Sequence, residues 1–504
     1  MSLKLFNGRL ITFQRVAMRR FQSSVLPEGA KAFINGKWLG STSGKVFEVT
    51  NPYTSEPITD VPDCNVQDTE IAVQAAREAF TLWASETTAK QRGETLRRWF
   101  EILRDREDEL AKLLTEEQGK PLAEAKIEIQ YSGAYFDWYA GEARRIYGQV
   151  VQPPVLNRTH LHIREPIGVV VAITPWNFPT AMIARKAAAA LASGCTMVVK
   201  PAHDTPLSAL ALAAAASDAG VPRGVFNVVP AGHENTQEIS KFVCSSPNVD
   251  CISFTGSTGV GKLLLSQSAS TVKRVCLELG GNAPFIVFQS ADLDKAVKGA
   301  IASKARASGQ TCVSSNRYYV HESVHAEFVN KLKEAISALK CGDGLKEGTT
   351  QGPMINKNAL HKVQFLVDDA VDKGAEVVVG GKYIEETNIY KPTILINVNE
   401  SMELANQEIF GPVVAIQKFS DEKDVIKKAN STRYGLASYI FSEDYRQINR
   451  VYRALQSGMV GVNEGAISCS EAAFGGVKES GMGREGGSQG IDEFTQWKYV
   501  CIGE

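Results

Sequence analysis

The chain has 504 residues, which is too long for one hydrophobic core, so we expect two or three domains. Hydrophobic residues make up 44% of it and the net charge is −1, which gives no basic face for nucleic acid or for an anionic membrane. The nine cysteines and seven histidines show no C-x-x-C pair and no spacing of a zinc site. We therefore expect a reducing compartment, no disulfide framework and no bound metal.

The first 26 residues differ from the rest of the chain in composition. Five basic residues alternate with apolar ones, and no acidic residue precedes Glu28. Such a basic, amphipathic, acid-free segment predicts a mitochondrial transit peptide and hence the mitochondrial matrix, whereas a merely disordered basic tail is the alternative. We expect cleavage after Phe21, because Arg19-Arg20-Phe21 resembles a matrix-processing site. No run of about 18 apolar residues occurs, so we expect no membrane span.

Strands and helices then alternate along the chain. Residues 32–38 predict a strand and a turn, and the spacing of apolar positions predicts helices over 66–86 and 89–119. From Ile167 onward, strands are expected at 169–173, 196–200, 226–229 and 251–254, with helices at 181–192 and 207–219. Short apolar strands separated by helices predict a parallel sheet with crossover helices, an architecture that binds nucleotides. A second alternating series runs from Ala283 to Gly461.

The stretch around Cys312 is the leading candidate for chemistry. Among the nine cysteines, Cys312 alone has small polar neighbours and a glycine three positions before it. A nucleophilic thiolate needs a partly exposed, polar setting that lowers its pKa, although surface loops also carry cysteines without function. Two upstream residues favour the nucleophile. Glu278 lies in an apolar run, where burial raises the pKa of a carboxyl group towards that of a general base. Asn177 lies in a turn that can aim its amide at an oxyanion.

Six motifs occur in a fixed order along the chain. They are P-W-N-F-P at 175–179, F-T-G-S-T-x-x-G at 254–261, L-E-L-G-G at 277–281, G-Q-x-C at 309–312, E-I-F-G-P at 408–412 and F-G-G-x-K-x-S-G at 474–481. Together they resemble the aldehyde dehydrogenase superfamily from about residue 32 to the C-terminus.

The resemblance implies an α/β fold of three parts. A Rossmann-like parallel-sheet cofactor domain is expected over 28–144 and 166–277, and an α/β catalytic domain over 278–487. A small β oligomerisation arm is expected over 145–165 and 488–504. In the family this arm pairs with a neighbouring subunit, so the resemblance also implies a homotetramer.

The resemblance implies a nicotinamide cofactor as well. The residues that match the family's cofactor site are Thr174, Pro175, Trp176, Lys200, His203, Gly256, Ser257, Gly261, Glu408 and Phe410. NAD-preferring members usually carry Glu where this chain has His203, and the loss of that negative charge removes a barrier to the 2′-phosphate of NADP. We therefore expect NAD, with NADP open.

The glycine turn within this set has a second interpretation. From Gly256 to Lys262 it shows the glycine and lysine spacing of a P-loop. However, Leu263 follows where a P-loop needs Ser or Thr to hold magnesium. We therefore interpret it as a turn that opens a helix, whose free N–H groups meet a pyrophosphate.

In the mechanism that the resemblance implies, Cys312 attacks the aldehyde carbon. The side-chain amide of Asn177 and the backbone N–H of Cys312 stabilise the oxyanion, and Glu278 activates the water that hydrolyses the thioester. Lys186 matches a family lysine that relays protons, and an exposed helix lysine is the alternative. Some relatives carry a second cysteine two residues after the nucleophile. Here that residue is Ser314, so we expect no disulfide switch within the loop.

Arg185, Arg306 and Ser468 match the substrate-carboxylate residues of succinate-semialdehyde dehydrogenases. Guanidinium groups match carboxylates in shape and charge, whereas each arginine alone reads equally well as a surface salt bridge. The expected reaction is NAD(P)-dependent oxidation of succinate semialdehyde. Glutarate semialdehyde is the closest alternative, because one methylene discriminates by only about 1–3 kcal/mol. A CoA-dependent enzyme, a thioester acyltransferase and a structural protein are disfavoured by the presence of Glu278, Lys200 and Cys312.

Overall fold

The structure is a computed structural model that describes residues 25–26 and 29–503. The predicted transit peptide, residues 1–26, lies outside the described residues except for Val25 and Leu26. These two side chains are buried in the first hydrophobic core, with 1% and 3% of their surface exposed. Within the described part, no helix is long and apolar enough to cross a membrane.

The secondary structure of the described residues follows the expected alternation. The strands are β1 (Ala32–Ile34), β2 (Lys37–Leu39), β3 (Val46–Thr50), β4 (Pro57–Pro62), β5 (Gln149–Val151), β6 (Arg158–Pro166), β7 (Val169–Ile173), β8 (Thr196–Lys200), β9 (Phe226–Val228), β10 (Cys251–Thr255), β11 (Arg274–Glu278), β12 (Ala283–Val287), β13 (Ser315–His321), β14 (Glu376–Val379), β15 (Thr393–Ile396), β16 (Val413–Phe419), β17 (Ala437–Phe441), β18 (Met459–Val462), β19 (Gly481–Met482) and β20 (Thr495–Gly503). The helices are α1 (Val66–Ser85), α2 (Ala89–Asp105), α3 (Glu107–Gln118), α4 (Leu122–Glu142), α5 (Ala181–Ser193), α6 (Pro206–Asp218), α7 (His233–Ser245), α8 (Thr258–Ser268), α9 (Leu293–Lys304), α10 (His325–Ser337), α11 (Lys357–Asp372), α12 (Glu403–Asn406), α13 (Glu422–Asn430) and α14 (Tyr445–Ala454).

One expected helix is two helices. The predicted helix over 89–119 breaks at Arg106, which caps the end of α2 and precedes the first turn of α3. The side chain of Arg106 pairs with Asp218 at 2.7 Å, and three acidic residues in the first turn of α3 favour a new helix start. Neither Gly nor Pro marks this break, so the periodicity alone predicted one helix, and that prediction was wrong.

The first sheet places the candidate cofactor residues at one edge. Its strand order is β19-β11-β10-β7-β8-β9-β1-β2, and the five strands from β11 to β9 are parallel. The chain runs outward from β7 to β9 and then returns to the other side of β7 at β10. Such a reversal opens a crevice at the carboxyl ends of the strands, where α/β folds bind ligands. Ile173 pairs with Lys200 there, and Thr255 pairs with Glu278.

The second sheet carries the nucleophile loop. Its order is β14-β15-β16-β13-β12-β17-β18, and its pairs are parallel except β14 with β15. Cys312 lies three residues before β13, and residues 279–282 lead from β11 of the first sheet to β12 of the second. A Cβ atom on Gly281 would collide with the carbonyl oxygen of Cys312. The two sheets therefore meet at Glu278 and Cys312.

A separate three-stranded antiparallel sheet contains β5, β6 and β20, in the order β20-β6-β5. Before β20, Ile491 and Phe494 are buried in the first core, whereas β20 itself is largely exposed. Val150, Trp497, Tyr499 and Ile502 leave about half or more of their surface exposed.

Candidate active site

One cleft brings together eight of the residues predicted from sequence. It is lined by Pro175, Trp176, Asn177, Gly256, Ser257, Cys312, Glu408 and Phe410. Residues that the sequence analysis did not single out complete the lining: Met182, Thr255, Leu279, Gly280, Ala359, Lys362 and Ile409. The lining is therefore mostly apolar, with a thiol, an amide and a carboxylate facing the same space.

The loop before Cys312 has an unusual backbone. Ala307, Ser308 and Gly309 have positive φ angles of 48°, 54° and 75°. Left-handed conformations cost a non-glycine residue of order 1–3 kcal/mol and persist only where the surroundings fix them. Here the buried side chain of Gln310 donates to the carbonyls of Ala307 (3.1 Å) and Pro353 (3.2 Å) and accepts from the N–H of Ile355 (2.9 Å). The nucleophile therefore sits on a braced loop.

Cys312 is half-buried, as expected for a nucleophile, and it packs against the hydrophobic core of the second sheet. Burial raises the pKa of the thiol to about 12, the positive charge of Arg185 opposes this rise, and Glu408 and Glu278 add to it. The expected lowering of the pKa is therefore not found, because the loop folds the sulfur against the second sheet. Ser314 follows two residues later, and all nine cysteines are free.

Glu278, at the end of β11, has the environment of a general base. The residue is 4% exposed, and its Oε2 atom has no hydrogen-bond partner among the described residues. Burial raises the pKa of Glu278 well above its ordinary value, the charge of Glu485 adds to this, and Arg185 and Lys186 oppose it. A carboxyl group with a raised pKa and a free oxygen can accept a proton from water.

Asn177 retains one unassigned donor. Its side-chain Nδ2 donates to the carbonyl of Gln310 at 2.9 Å, and its Oδ1 accepts from the N–H of Phe178 at 3.1 Å. A carboxamide nitrogen has two hydrogens, so one N–H of Asn177 remains available in the cleft. This is the donor that an oxyanion site requires.

Behind the cleft, Arg185 and Lys186 share one carboxylate. Both side chains are almost fully buried on α5 and form ion pairs with Glu485, the arginine through Nε and the lysine through Nζ. Arg185 also stacks over the ring of Phe474 at 4.4 Å. The alternative interpretation of Lys186 as an exposed helix lysine is therefore excluded. Glu485 was missed from sequence, although a charged residue between glycines in Gly483-Arg484-Glu485-Gly486-Gly487 was a usable signal.

Arg185 and Arg306 approach each other around Tyr131. Burial raises the pKa of the Tyr131 hydroxyl, the positive charges of Arg185 and Arg306 oppose this rise, and the hydroxyl lies 2.6 Å from that of Tyr135. Arg306 stacks over the ring of Phe178 at 4.7 Å. The two cations therefore lie near the same hydroxyl, although neither lines the cleft and Arg185 is already paired with Glu485. Ser468 is half-buried in the loop after β18.

Lys200 and His203 lie at the carboxyl end of β8, outside the set that lines the cleft. Lys200 is 4% exposed, and burial lowers the pKa of its ammonium group to about 8 against the charges of Asp204 and Asp63. The His203 side chain is 44% exposed, lies 3.4 Å from Asp204, and its ring is 5.6 Å from that of His233. This corner is polar and holds both signs of charge.

The glycine turn opens a helix, as expected. Ser257 is the N-cap residue of α8, and its side chain accepts from the N–H of Val260. Gly261 packs against Leu279, which a Cβ atom at this position would strike. Lys262 pairs with Glu479 at 2.9 Å, with half of its side chain exposed, so it does not serve a phosphate in the turn.

Glu408 and Phe410 line a further part of the cleft. The Glu408 carboxylate accepts from the N–H of Gly281 at 3.0 Å, and burial raises its pKa to about 7. Lys362 donates to the Glu408 carbonyl at 2.8 Å. Phe410 has a φ of 56°, and its ring meets that of Trp176 edge-on, with 5.5 Å between centroids. A bulky residue in this conformation indicates a constrained functional position.

The residues present fit a dinucleotide. The cleft offers aromatic and apolar walls, the N-terminus of α8 and the carboxylate of Glu408. The buried hydroxyls of Thr174 and Thr255 have no hydrogen-bond partner among the described residues. Both hydroxyls are therefore available to a ligand at the carboxyl ends of the strands. No group of three or more His, Cys, Asp or Glu residues in the described chain could hold a metal ion.

Comparison with known proteins agrees with this geometry. The aldehyde dehydrogenase family model matches residues 38–500. Human mitochondrial succinate-semialdehyde dehydrogenase is 48% identical over 503 residues, covering 99% of this chain and 92% of the human protein. Glutarate-semialdehyde dehydrogenase of Pseudomonas putida is 50% identical over 472 residues, covering 94% of this chain and 97% of that protein.

Two further relatives bear on cofactor and fold. Escherichia coli succinate-semialdehyde dehydrogenase (NADP(+)) GabD is 49% identical over 474 residues, covering 94% of this chain and 98% of that protein. The crystal structure of succinate-semialdehyde dehydrogenase from Burkholderia pseudomallei superposes with a TM-score of 0.93 at 48% identity, covering 96% of this chain and 99% of that one. The cleft, the order of the motifs and these similarities agree: the chain belongs to the aldehyde dehydrogenase family.

Proposed function

We propose that this chain oxidises succinate semialdehyde to succinate with NAD or NADP, through a thioester on Cys312. The observation that supports the proposal is that Arg185 and Arg306 both lie near Tyr131 and that the charge of Arg185 reaches Cys312. Arg185 lies close enough to Cys312 to lower the pKa of its thiol, so a carboxylate held there lies near the sulfur. The names of the relatives in human, Escherichia coli and Burkholderia pseudomallei support the same substrate.

In the proposed mechanism, Cys312 first loses its thiol proton to solvent, the thiolate sulfur bonds to the aldehyde carbon, and the carbonyl oxygen becomes an oxyanion. The free N–H of Asn177 and the backbone N–H of Cys312 donate to that oxygen. Loss of one such donor costs about 3 kcal/mol of barrier. The nicotinamide ring, when bound, supplies one chemistry, the acceptance of a hydride.

Glu278 then acts on the thioester. Its free Oε2 takes a proton from water, the water oxygen bonds to the acyl carbon, and the bond between that carbon and the Cys312 sulfur breaks. Lys186 and Glu485 form a buried ionic connection behind Glu278 through which the proton can leave. The sulfur is thereby regenerated.

The first test is initial-rate kinetics of NAD(P)H formation. Succinate semialdehyde is compared with propionaldehyde, which lacks a carboxylate. We expect a preference of roughly 100-fold or more in kcat/KM, equivalent to about 2.7 kcal/mol. Comparable rates would leave the chain an aldehyde dehydrogenase without this substrate preference.

Glutarate semialdehyde is the second candidate substrate, and the 50% identity with the Pseudomonas putida enzyme favours it. It carries the same carboxylate one methylene further from the aldehyde. A methylene changes affinity by only about 1–3 kcal/mol, so we expect both semialdehydes to be oxidised. The ratio of kcat/KM for succinate semialdehyde to kcat/KM for glutarate semialdehyde shows which substrate the enzyme prefers.

For the cofactor, we propose NAD with measurable use of NADP. A half-exposed histidine, His203, stands where a carboxylate would repel a 2′-phosphate, and the Escherichia coli relative is named for NADP(+). The test is His203→Glu. We expect it to lower kcat/KM for NADP by about 10-fold or more through charge repulsion, and to leave NAD within about 3-fold. An equal loss with both cofactors would place His203 away from the 2′-position.

For location and assembly, we propose the mitochondrial matrix and a homotetramer. Burial of Val25 and Leu26 in the core favours processing near Phe21 over processing at residue 26. The N-terminal sequence of the chain recovered from mitochondria tests this, and a start beyond residue 26 would refute it. The exposed apolar side chains of β5 and β20 are suited to pairing with another subunit.

A further inference from the structure

The residues around the first turn of α4 contact both segments that provide oxyanion donors. These segments are the turn that carries Asn177 and the loop that precedes Cys312. Lys120, two residues before α4, is 2% exposed, and its Nζ atom donates to the backbone carbonyl of Asn177 at 2.8 Å. The same ammonium lies 3.8 Å from the centre of the Phe178 ring. Its charge is paired with the fully buried carboxylate of Glu128. A buried cation therefore fixes the backbone of the residue that provides the side-chain donor.

Glu128 fixes the next residues of the same turn. Its Oε1 accepts from the N–H of Thr180 at 3.0 Å, from the Thr180 hydroxyl at 2.8 Å and from the N–H of Ala181 at 3.3 Å. These groups begin α5, where a carboxylate is favoured by the free N–H groups of a helix start. The turn that carries Asn177 is thus held at both ends by α4 and the residue pair Lys120–Glu128.

Glu124, one turn before Glu128, contacts the loop that precedes Cys312. Its Oε2 accepts from the backbone N–H of Ala307 at 2.7 Å, at the start of the left-handed stretch before Cys312. The charges of Lys120 and Arg306 also act on this carboxyl group. Because Ala307 has an unfavourable backbone angle, an external acceptor is needed to fix its peptide.

We propose that Lys120 and Glu124 are positioning residues, which hold the Asn177 amide and the Cys312 N–H at one point. Neither residue lines the cleft. Buried ion pairs contribute little net stability. We therefore assign these charged residues a positional role, the fixing of the Asn177 turn and the Cys312 loop, which lie 135 positions apart in sequence (312 − 177). The inference rests on the proposed oxyanion mechanism but not on the identity of the aldehyde.

The test uses Glu124→Ala with Glu124→Gln as its matched control. Glutamine keeps an oxygen that can accept from the N–H of Ala307, whereas alanine does not. We expect Glu124→Ala to lower kcat by about 10-fold to 100-fold with both succinate semialdehyde and propionaldehyde, since a displacement near 1 Å has an effect of this size. KM should change less than about 3-fold, and Glu124→Gln should keep kcat within about 3-fold.

A second readout separates positioning from general damage. Alkylation of Cys312 by iodoacetamide needs the thiolate but no oxyanion site, so its rate should stay within about 3-fold in both variants. Equal kcat for Glu124→Ala and Glu124→Gln would overturn the inference, and so would a parallel loss of alkylation. If Glu124→Ala does not fold, Glu124→Asp keeps the charge but shortens the reach, and an unchanged kcat in that variant would equally overturn it. Loss of substrate preference in the unmodified chain would instead contradict the proposed substrate.

Discussion

At the scale of single residues, Cys312 is held between opposing effects. Burial and two carboxylates raise the pKa of its thiol, whereas Arg185 lowers it. In the free protein the thiol is therefore mostly protonated at neutral pH, and the fraction of thiolate increases as the pH rises towards the pKa. The same arginine that would bind the substrate carboxylate thus also favours the nucleophilic form of the sulfur.

Alkylation of Cys312 should follow this titration. With a pKa of about 12, the rate with iodoacetamide should rise about 10-fold per pH unit between pH 7 and pH 9, with no plateau. Mass spectrometry of the Cys312 peptide measures the rate. The same peptide in denatured chain, where the thiol has its ordinary pKa near 8.5, provides the control, and its rate should rise by clearly less than 10-fold between pH 8 and pH 9. A plateau below pH 8 in the folded protein would contradict the burial of the sulfur.

The residues that local sequence could identify are those within continuous motifs. Cys312, Asn177 and Glu408 each stand in such a stretch, and the fold brings them to one cleft. Glu485 and Lys120 lie in short charged segments between glycines or before a proline. Their partners are 299 and 57 positions away in sequence, so no local pattern could predict the contacts.

At the scale of elements, β7, β8 and β10 of the first sheet were predicted closely because fully buried strands appear in the sequence as short apolar runs. The break between α2 and α3 at Arg106 was not predicted. It is fixed by the ion pair of Arg106 with Asp218 of α6, and no local sequence signal marks it. The loop 306–311 was beyond prediction for a similar reason. Its backbone is set by Glu124, by residues 352–355 and by close approach to Gly411.

The Gly280-Gly281 turn is the element on which the junction of the two sheets depends. A Cβ atom on Gly281 would strike the carbonyl of Cys312, so we expect Gly281→Ala to displace the nucleophile and lower kcat about 10-fold to 100-fold. Steady-state kinetics measures this. Gly40→Ala is the control, because a Cβ atom there meets nothing within 4 Å and the backbone angle is ordinary. Unchanged kcat in Gly281→Ala would show that the junction is more open than the structure indicates.

At the scale of the whole molecule, two α/β layers meet along a cleft, and a small antiparallel sheet extends from them. A three-stranded sheet with little packing of its own is marginal in water unless something covers it. Tyr499 and Trp497 on β20 are more than half exposed. This exposure is the basis for the proposed homotetramer.

Disruption of that surface should change the assembly. We expect Tyr499→Asp, which places a charge on the exposed face of β20, to give a dimer or monomer at micromolar concentration. Light scattering coupled to size-exclusion chromatography measures the mass. Tyr445→Asp is the matched control, because Tyr445 is 74% exposed on α14, away from this sheet, and it should leave the mass unchanged. Equal masses for the two variants would place the subunit contact elsewhere.

The central claim is that two arginines select a carboxylate-bearing aldehyde, and substitution of both tests it most directly. Arg185→Met and Arg306→Met keep the bulk of the side chain, and Lys186 still pairs with Glu485 when Arg185 is replaced. The measurement is kcat/KM for succinate semialdehyde and for propionaldehyde in each variant. We predict a loss of about 10-fold to 100-fold on the semialdehyde, the value of a charge-assisted hydrogen bond of about 1.5–3 kcal/mol. The loss on propionaldehyde should be smaller: below about 3-fold for Arg306→Met, and larger for Arg185→Met because Arg185 also favours the Cys312 thiolate. Equal losses on the two aldehydes would contradict the claim and would leave both arginines as structural residues.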